Sequence, residues 1–130
     1  NTYKSCLNFY LNIINKNNLF LKINDLKNNS FIGTMTYIFD NDKVDIGILI
    51  GDKNYWNKHV GFEAWSLSLQ YLFTLEKIKK ITAGCMSSNL AMKKIFIKSK
   101  MNFSHKERKF NNKNNKFEEF VFYEITTKKQ

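Results

Sequence analysis

Between Val44 and Met101 the chain reads as an apolar strand, a short polar loop, a helix that is apolar on nearly every side, a second strand and a second helix. Val44 to Ile50 (VDIGILI) is close to continuously apolar, the signature of a strand covered on both faces. Phe62 to Glu76 carries large apolar side chains nearly all round, and Ile81 to Met86 is the next strand. Two strands joined through a helix rather than a tight turn run parallel, because only a long crossover can return the chain in the same direction. The loop before the first helix, Trp56 to Gly61, closes on a glycine. A helix N-terminus there presents unpaired N–H groups and the positive end of its dipole, which makes a ready anion site.

The rest of the chain frames this unit. Tyr3, Cys6, Leu7, Tyr10, Ile13 and Ile14 fall at helical spacing and predict an amphipathic helix over Thr2 to Asn15. Leu19 to Ile23 and Phe31 to Phe39 read as strands around an Asn/Asp-rich turn, and Asp40 to Lys43 as the tight turn into Val44. Ser87, Ser88 and Asn89 offer three N-caps for a helix over Leu90 to Lys98. Phe103 to Phe110 and Phe117 to Ile125 bracket a polar turn as a terminal hairpin. With no repeat and no linker, the 130 residues predict one α/β domain, residues 1–130, built on a mixed sheet of antiparallel strands with two crossover helices.

Composition removes several classes of function. Hydrophobic residues at 43% are too many for a disordered chain. No apolar run reaches the roughly 18 residues of a membrane span, and no basic-then-apolar leader opens the sequence, so a cytoplasmic protein without membrane contact is expected. Cys6 and Cys85 lack metal-ligand spacing and read as free thiols; no metal site is expected. The net charge of +10 rests on scattered lysines, Arg108 being the single arginine. Lysine interspersed with asparagine does not make a groove-reading surface, so nucleic acid is not the expected partner. The same field suits an anionic cosubstrate.

The motifs within 44–101 resemble those of the GNAT N-acetyltransferases, in particular the branch of ribosomal-protein N-terminal and bacterial amino-sugar acetyltransferases. Where that branch reads E-I-G-Y-x-I, this chain has Asp45-Ile46-Gly47-Ile48-Leu49-Ile50. Where it reads Y-W-G-K-G-Y-A-T-E-A, Tyr55-Trp56-Asn57-Lys58-His59-Val60-Gly61-Phe62-Glu63-Ala64 stands here. Asn89-Leu90-Ala91-Met92 matches N-x-x-A in its asparagine, and Lys98-Ser99-Lys100-Met101 stands for K-L-G-F. Asn57 and His59 replace the two loop glycines, leaving Gly61. Relative to the family layout the chain is expected to start at the second helix, without the first strand and helix.

The resemblance implies a mixed, mostly antiparallel sheet with crossover helices and two parallel central strands that splay apart, and an acetyl-CoA cosubstrate. Its pyrophosphate would lie on the backbone of Trp56, Asn57, Lys58, His59, Val60 and Gly61, its pantetheine along Ile48, Leu49 and Ile50, and Asn89 would add a contact or simply cap its helix. Acetyl transfer to an amine needs a base, an oxyanion donor and a proton for the thiolate. Asp45 stands where relatives carry Glu and is the candidate base, on a strand face with Gly47 and Leu49; its alternative is a cross-strand partner for a lysine. Many relatives carry a thiolate-protonating Tyr where Phe96 stands, so water is expected in that role. The implied function is acetyl-CoA-dependent N-acetylation of a small-molecule primary amine, an amino sugar first and a nucleotide-linked one among those. A protein N-terminus as acceptor and a degenerate acyl-CoA-binding domain are the alternatives, and a homodimer is compatible with the family.

Overall fold

Asparagine makes the turns of this chain, which contains no proline and 5 glycines. Asn29, Asn41 and Asn115 take left-handed backbone with φ near 57–59°, the conformation that Asn tolerates better than other residues bearing a Cβ. Neighbouring side chains close the same turns: Lys27 N–H donates to Asp25 Oδ1 and Ser30 N–H to Asn28 Oδ1, each at 2.9 Å.

In the computed structural model, which describes residues 7–15, 18–56 and 59–127, these turns join seven strands and two helices. The strands are β1 (Leu7–Asn15), β2 (Asn18–Asp25), β3 (Ser30–Asp40), β4 (Lys43–Ile50), β5 (Lys80–Met86), β6 (Asn102–Asn111) and β7 (Lys116–Thr126). Helix α1 (Val60–Phe73) joins β4 to β5, and α2 (Leu90–Lys98) joins β5 to β6. They form one sheet in the order β1-β2-β3-β4-β5-β7-β6. Every neighbouring pair is antiparallel except β4 and β5. The predicted α/β class, the mixed sheet and the parallel central pair are therefore all present.

The first segment departs from expectation. Leu7–Asn15 is a strand paired antiparallel to β2, not a helix; Thr2 to Cys6 lie outside the described residues. Leu7, Phe9, Leu11 and Ile13 alternate with Asn8, Tyr10 and Asn12, so the stretch carries a period of two as well as one of 3.6. With aromatic and branched side chains and a sheet edge to join, the period of two prevails.

Both helices contribute to one core on one face of the sheet. Trp65 and Leu72 of α1 and Phe96 of α2 are fully buried with Val44, Ile46, Ile81 and Ala83 of the two parallel strands. The Trp65 and Phe96 rings lie 5.6 Å apart, and Phe96 lies 4.9 Å from Tyr123 of β7. Burying a ring of that size stabilises the fold by roughly 2–3 kcal/mol. The opposite face is less covered: Leu49 is 69% exposed, which corrects the expectation that β4 is apolar because both its faces are core.

Candidate functional site

The site arises where the two parallel strands part. Their pairing runs only through Lys43–Lys80, Val44–Ile81 and Asp45–Thr82. Beyond that, β4 stays in register with β3 to Ile50 while β5 stays with β7 to Met86. Each strand follows its antiparallel partner, and a V opens between them, as the sequence predicted.

The register says what faces this V. Gly51 N–H donates to the Ile32 carbonyl at 3.0 Å, and along an antiparallel pair the residues bonded to the partner alternate. Leu49 and Gly47 therefore turn their amides to β3, while Ile46, Ile48 and Ile50 turn theirs towards the gap. The Ile50 carbonyl is taken by Trp56 Nε1 at 2.8 Å. The Asp45–Thr82 bridge takes the Ile46 N–H onto β5, so beyond it Ile48 presents a strand-like donor and acceptor to the open side.

The loop above the V is tethered. Asp52 Oδ1 accepts from Asn54 N–H at 2.9 Å and caps a short 3-10 turn, Lys53–Tyr55. The Tyr55 hydroxyl donates to Asp25 Oδ2 at 2.8 Å. These bonds hold the carboxyl of Asp25 below the usual carboxylate range, the Lys27 N–H contributing most and Tyr55 next. The loop ends at His59, whose φ of 62° and ψ of 10° are left-handed, and which caps α1 without a side-chain bond. The first helical bond runs from Glu63 N–H to the His59 carbonyl at 2.9 Å. The N–H groups of Val60, Gly61 and Phe62 are thus outside the helical ladder.

Gly61 serves a different purpose from the one its loop position implied. Its φ is not positive; the left-handed residue is His59. A Cβ on Gly61 would stand 3.3 Å from Ile95 Cδ1, so the glycine lets α2 pack closely beneath the first turn of α1.

Together these elements enclose a cleft of about 690 Å³. One wall is Ile48 to Ile50 with Trp56, another is His59 to Gly61, and Asn89 joins from α2. Eight of the predicted binding residues thus meet in one place. Asn57 and Lys58 lie outside the described residues. Asn89 is the N-cap of α2, its Oδ1 accepting from Met92 N–H at 3.0 Å, and it reaches the cleft as well. Tyr55, Phe62, Lys94 and Lys98 also line it. Sequence reading passed over these; for Lys98 the signal was the stripe Asn89, Met92, Ile95, Lys98, spaced by three along one helix face.

Asp45 sits apart, at the base of the V and on the opposite sheet face. Thr82 Oγ1 donates to its Oδ1 at 2.7 Å. Desolvation by the surrounding sheet raises its carboxyl pKa above the ordinary value, opposed by the Thr82 hydroxyl. Phe96 lies wholly in the core between Trp65 and Tyr123. Cys85 is a free, half-buried thiol whose pKa burial raises. Among the described residues no group of three or more His, Cys, Asp or Glu side chains is placed to hold a metal ion. No described helix is long and apolar enough to cross a membrane.

A splayed parallel pair with an anion-ready helix start between its strands is the arrangement of one acyltransferase family, and the family profile for the acetyltransferase (GNAT) domain matches residues 2–102. The chain belongs to the GNAT family. Solved structures agree on the fold. A GNAT-family acetyltransferase from Bacillus anthracis superposes with a TM-score of 0.73 at 22% identity, covering 82% of this chain and 65% of that one. The spermidine/spermine N-acetyltransferase SpeG from Vibrio cholerae gives 0.82 at 12% identity, covering 95% and 94%. A microcin self-immunity acetyltransferase in complex with acetyl-CoA and AMP gives 0.74 at 18%, covering 85% and 62%. The chain spans somewhat less than two thirds of the Bacillus anthracis and microcin-immunity relatives. No curated protein sequence matches it.

Proposed function

We propose that this GNAT chain is an acetyl-CoA-dependent N-acetyltransferase acting on a primary amine. The observation that carries the reading is the V between β4 and β5. It opens on the helix-covered face into a cleft without acidic lining among the described residues, and its base on the other face carries the carboxylate of Asp45.

The cleft fits the cosubstrate. Pantetheine needs strand-like amide partners, and Ile48 turns its own to the gap. A pyrophosphate needs convergent N–H groups, and Val60, Gly61 and Phe62 supply them at the positive end of α1. Asn57, Lys58 and Trp56 flank that position in sequence, and Asn89 closes the far side. When bound there, the thioester supplies an activated acetyl group.

The chain's own residues do the rest. Coenzyme enters from the helix face and the amine from the opposite face, so the sheet itself separates the two substrates. Asp45 takes the proton of the incoming ammonium; its raised pKa makes it a better base than an ordinary carboxylate. A β4 amide at the gap donates to the oxygen on which charge develops. Phe96 reaches no part of the cleft, so the leaving thiolate takes its proton from water. The acceptor favoured by the motif resemblance is an amino sugar, and the net charge of +10 suits a nucleotide-linked one. Thiol release from acetyl-CoA, measured with amino sugars, nucleotide-linked amino sugars and N-terminal peptides, tests this. Turnover with amino sugars above the others supports it, preference for peptides moves the acceptor to protein N-termini, and coenzyme binding without release with any amine refutes catalysis.

A further inference from the structure

The cleft continues beyond the anion-binding turn of α1, and its far end is basic. Along α2 the lining stripe runs from Asn89 through Met92 and Ile95 to Lys98, about 14 Å at the rise of an α-helix. At its start stands the V; at its end Lys98 meets the first turn of α1. Lys98 Nζ lies 4.3 Å from the centroid of the Phe62 ring, which holds the ammonium at the wall of the cleft by cation–π attraction. Lys94, one turn earlier, lines the same stretch. Neither lysine forms an ion pair among the described residues, whereas Lys80, Lys106 and Lys109 each do. Among the described residues no carboxylate lines the cleft to neutralise them.

We infer that Lys94 and Lys98 recognise the 3′-phosphate on the adenosine end of the coenzyme, and so make the chain selective for coenzyme A over its 3′-dephospho form. The inference rests on the coenzyme reading above. With the thioester at the V and the pyrophosphate at Val60 to Phe62, the adenosine must pass the first turn of α1, where Phe62 and Lys98 stand. A phosphomonoester there meets two cations without competing carboxylates. A pair of lysines acts as point charges rather than as a shaped backbone cradle. Such an anchor tolerates the loop in which Asn57 and His59 replace glycines.

Calorimetric titration with coenzyme A and with 3′-dephospho-coenzyme A tests this without turnover. Wild type should bind coenzyme A about tenfold or more tightly than the dephospho form. Lys94→Gln combined with Lys98→Gln should erase that ratio, weakening coenzyme A about tenfold and leaving the dephospho form within about twofold. The variant's coenzyme affinity should also depend less on salt, because two exposed cations leave the contact. Equal weakening of both ligands would assign the lysines to the pyrophosphate and overturn the inference, as would unchanged affinity for both. Failure of wild type to bind either ligand would overturn the coenzyme reading itself. Because Lys94 and Lys98 are exposed, the variant is expected to keep the wild-type circular dichroism spectrum.

Discussion

Asp45 is where the chemistry is most exposed to test. Removing a general base costs about 100-fold in turnover or more, so Asp45→Asn should cut thiol release by at least that factor while leaving coenzyme affinity unchanged. The sign of the pH dependence follows from its raised pKa. Only the ionised carboxylate accepts a proton, so activity is lost as pH falls through a value above the ordinary carboxylate pKa of about 3.9. Thr82 donates to the charged form and holds that pKa down. Thr82→Val should therefore raise it further and move the acidic limb of the pH profile to higher pH; a limb that stays put or moves lower removes Asp45 from the base role. Stability runs the other way. A carboxyl whose folded pKa is raised destabilises the native state above that pKa and ceases to do so below its unfolded value. Asp45→Asn should accordingly leave the melting temperature at neutral pH equal or higher. Asp45 itself was legible in sequence, from its place on the strand. The role of His59 was not, because which residue of a loop takes left-handed backbone depends on where the helix begins, and Gly61 looked the natural holder until it proved helical.

At the scale of elements, α2 ends in a way that its sequence does not favour. Met101 N–H donates to the Phe96 carbonyl and Lys100 N–H to the Ile97 carbonyl, both at 3.0 Å, the paired bonds of a Schellman motif. The residue that must then be left-handed is Lys100, with φ of 63°, where the family's K-L-G-F carries glycine. Lys100→Gly should raise stability by roughly 0.5–1 kcal/mol in urea unfolding, and no change or a loss would mean the strain is already relieved. The packing of α1 on α2 gives a second prediction. Gly61→Val places branched carbons against Ile95, 3.3 Å from where the Cβ alone would sit. It should displace the first turn of α1 and weaken coenzyme binding by about tenfold or more, with far-ultraviolet dichroism unchanged; an unaltered affinity would place the anion elsewhere. Most elements could be read from the sequence because their signals were redundant: Asn-rich turns, an asparagine cap and apolar runs all agreed. Leu7–Asn15 could not, because its apolar residues satisfy both periods and the neighbouring strand decided between them.

Across the whole molecule, function follows from a topological constraint rather than from any one side chain. A single parallel pair sits inside an otherwise antiparallel sheet, and each of its strands is committed to an antiparallel partner on its outer side. The pair meets only at its base, and the sheet opens where α1 begins. The parallel pair was legible from the crossover pattern, and its opening from the family resemblance. The cleft's basic end was not, since it needs the last turn of α2 beside the first turn of α1, a contact that no local pattern encodes. The most direct test is amide hydrogen exchange with and without acetyl-CoA. The account predicts new protection at Ile48 and Val60 to Phe62, with β6 and β7 unchanged away from the gap. Protection confined to other strands, or none at saturating acetyl-CoA, would contradict it.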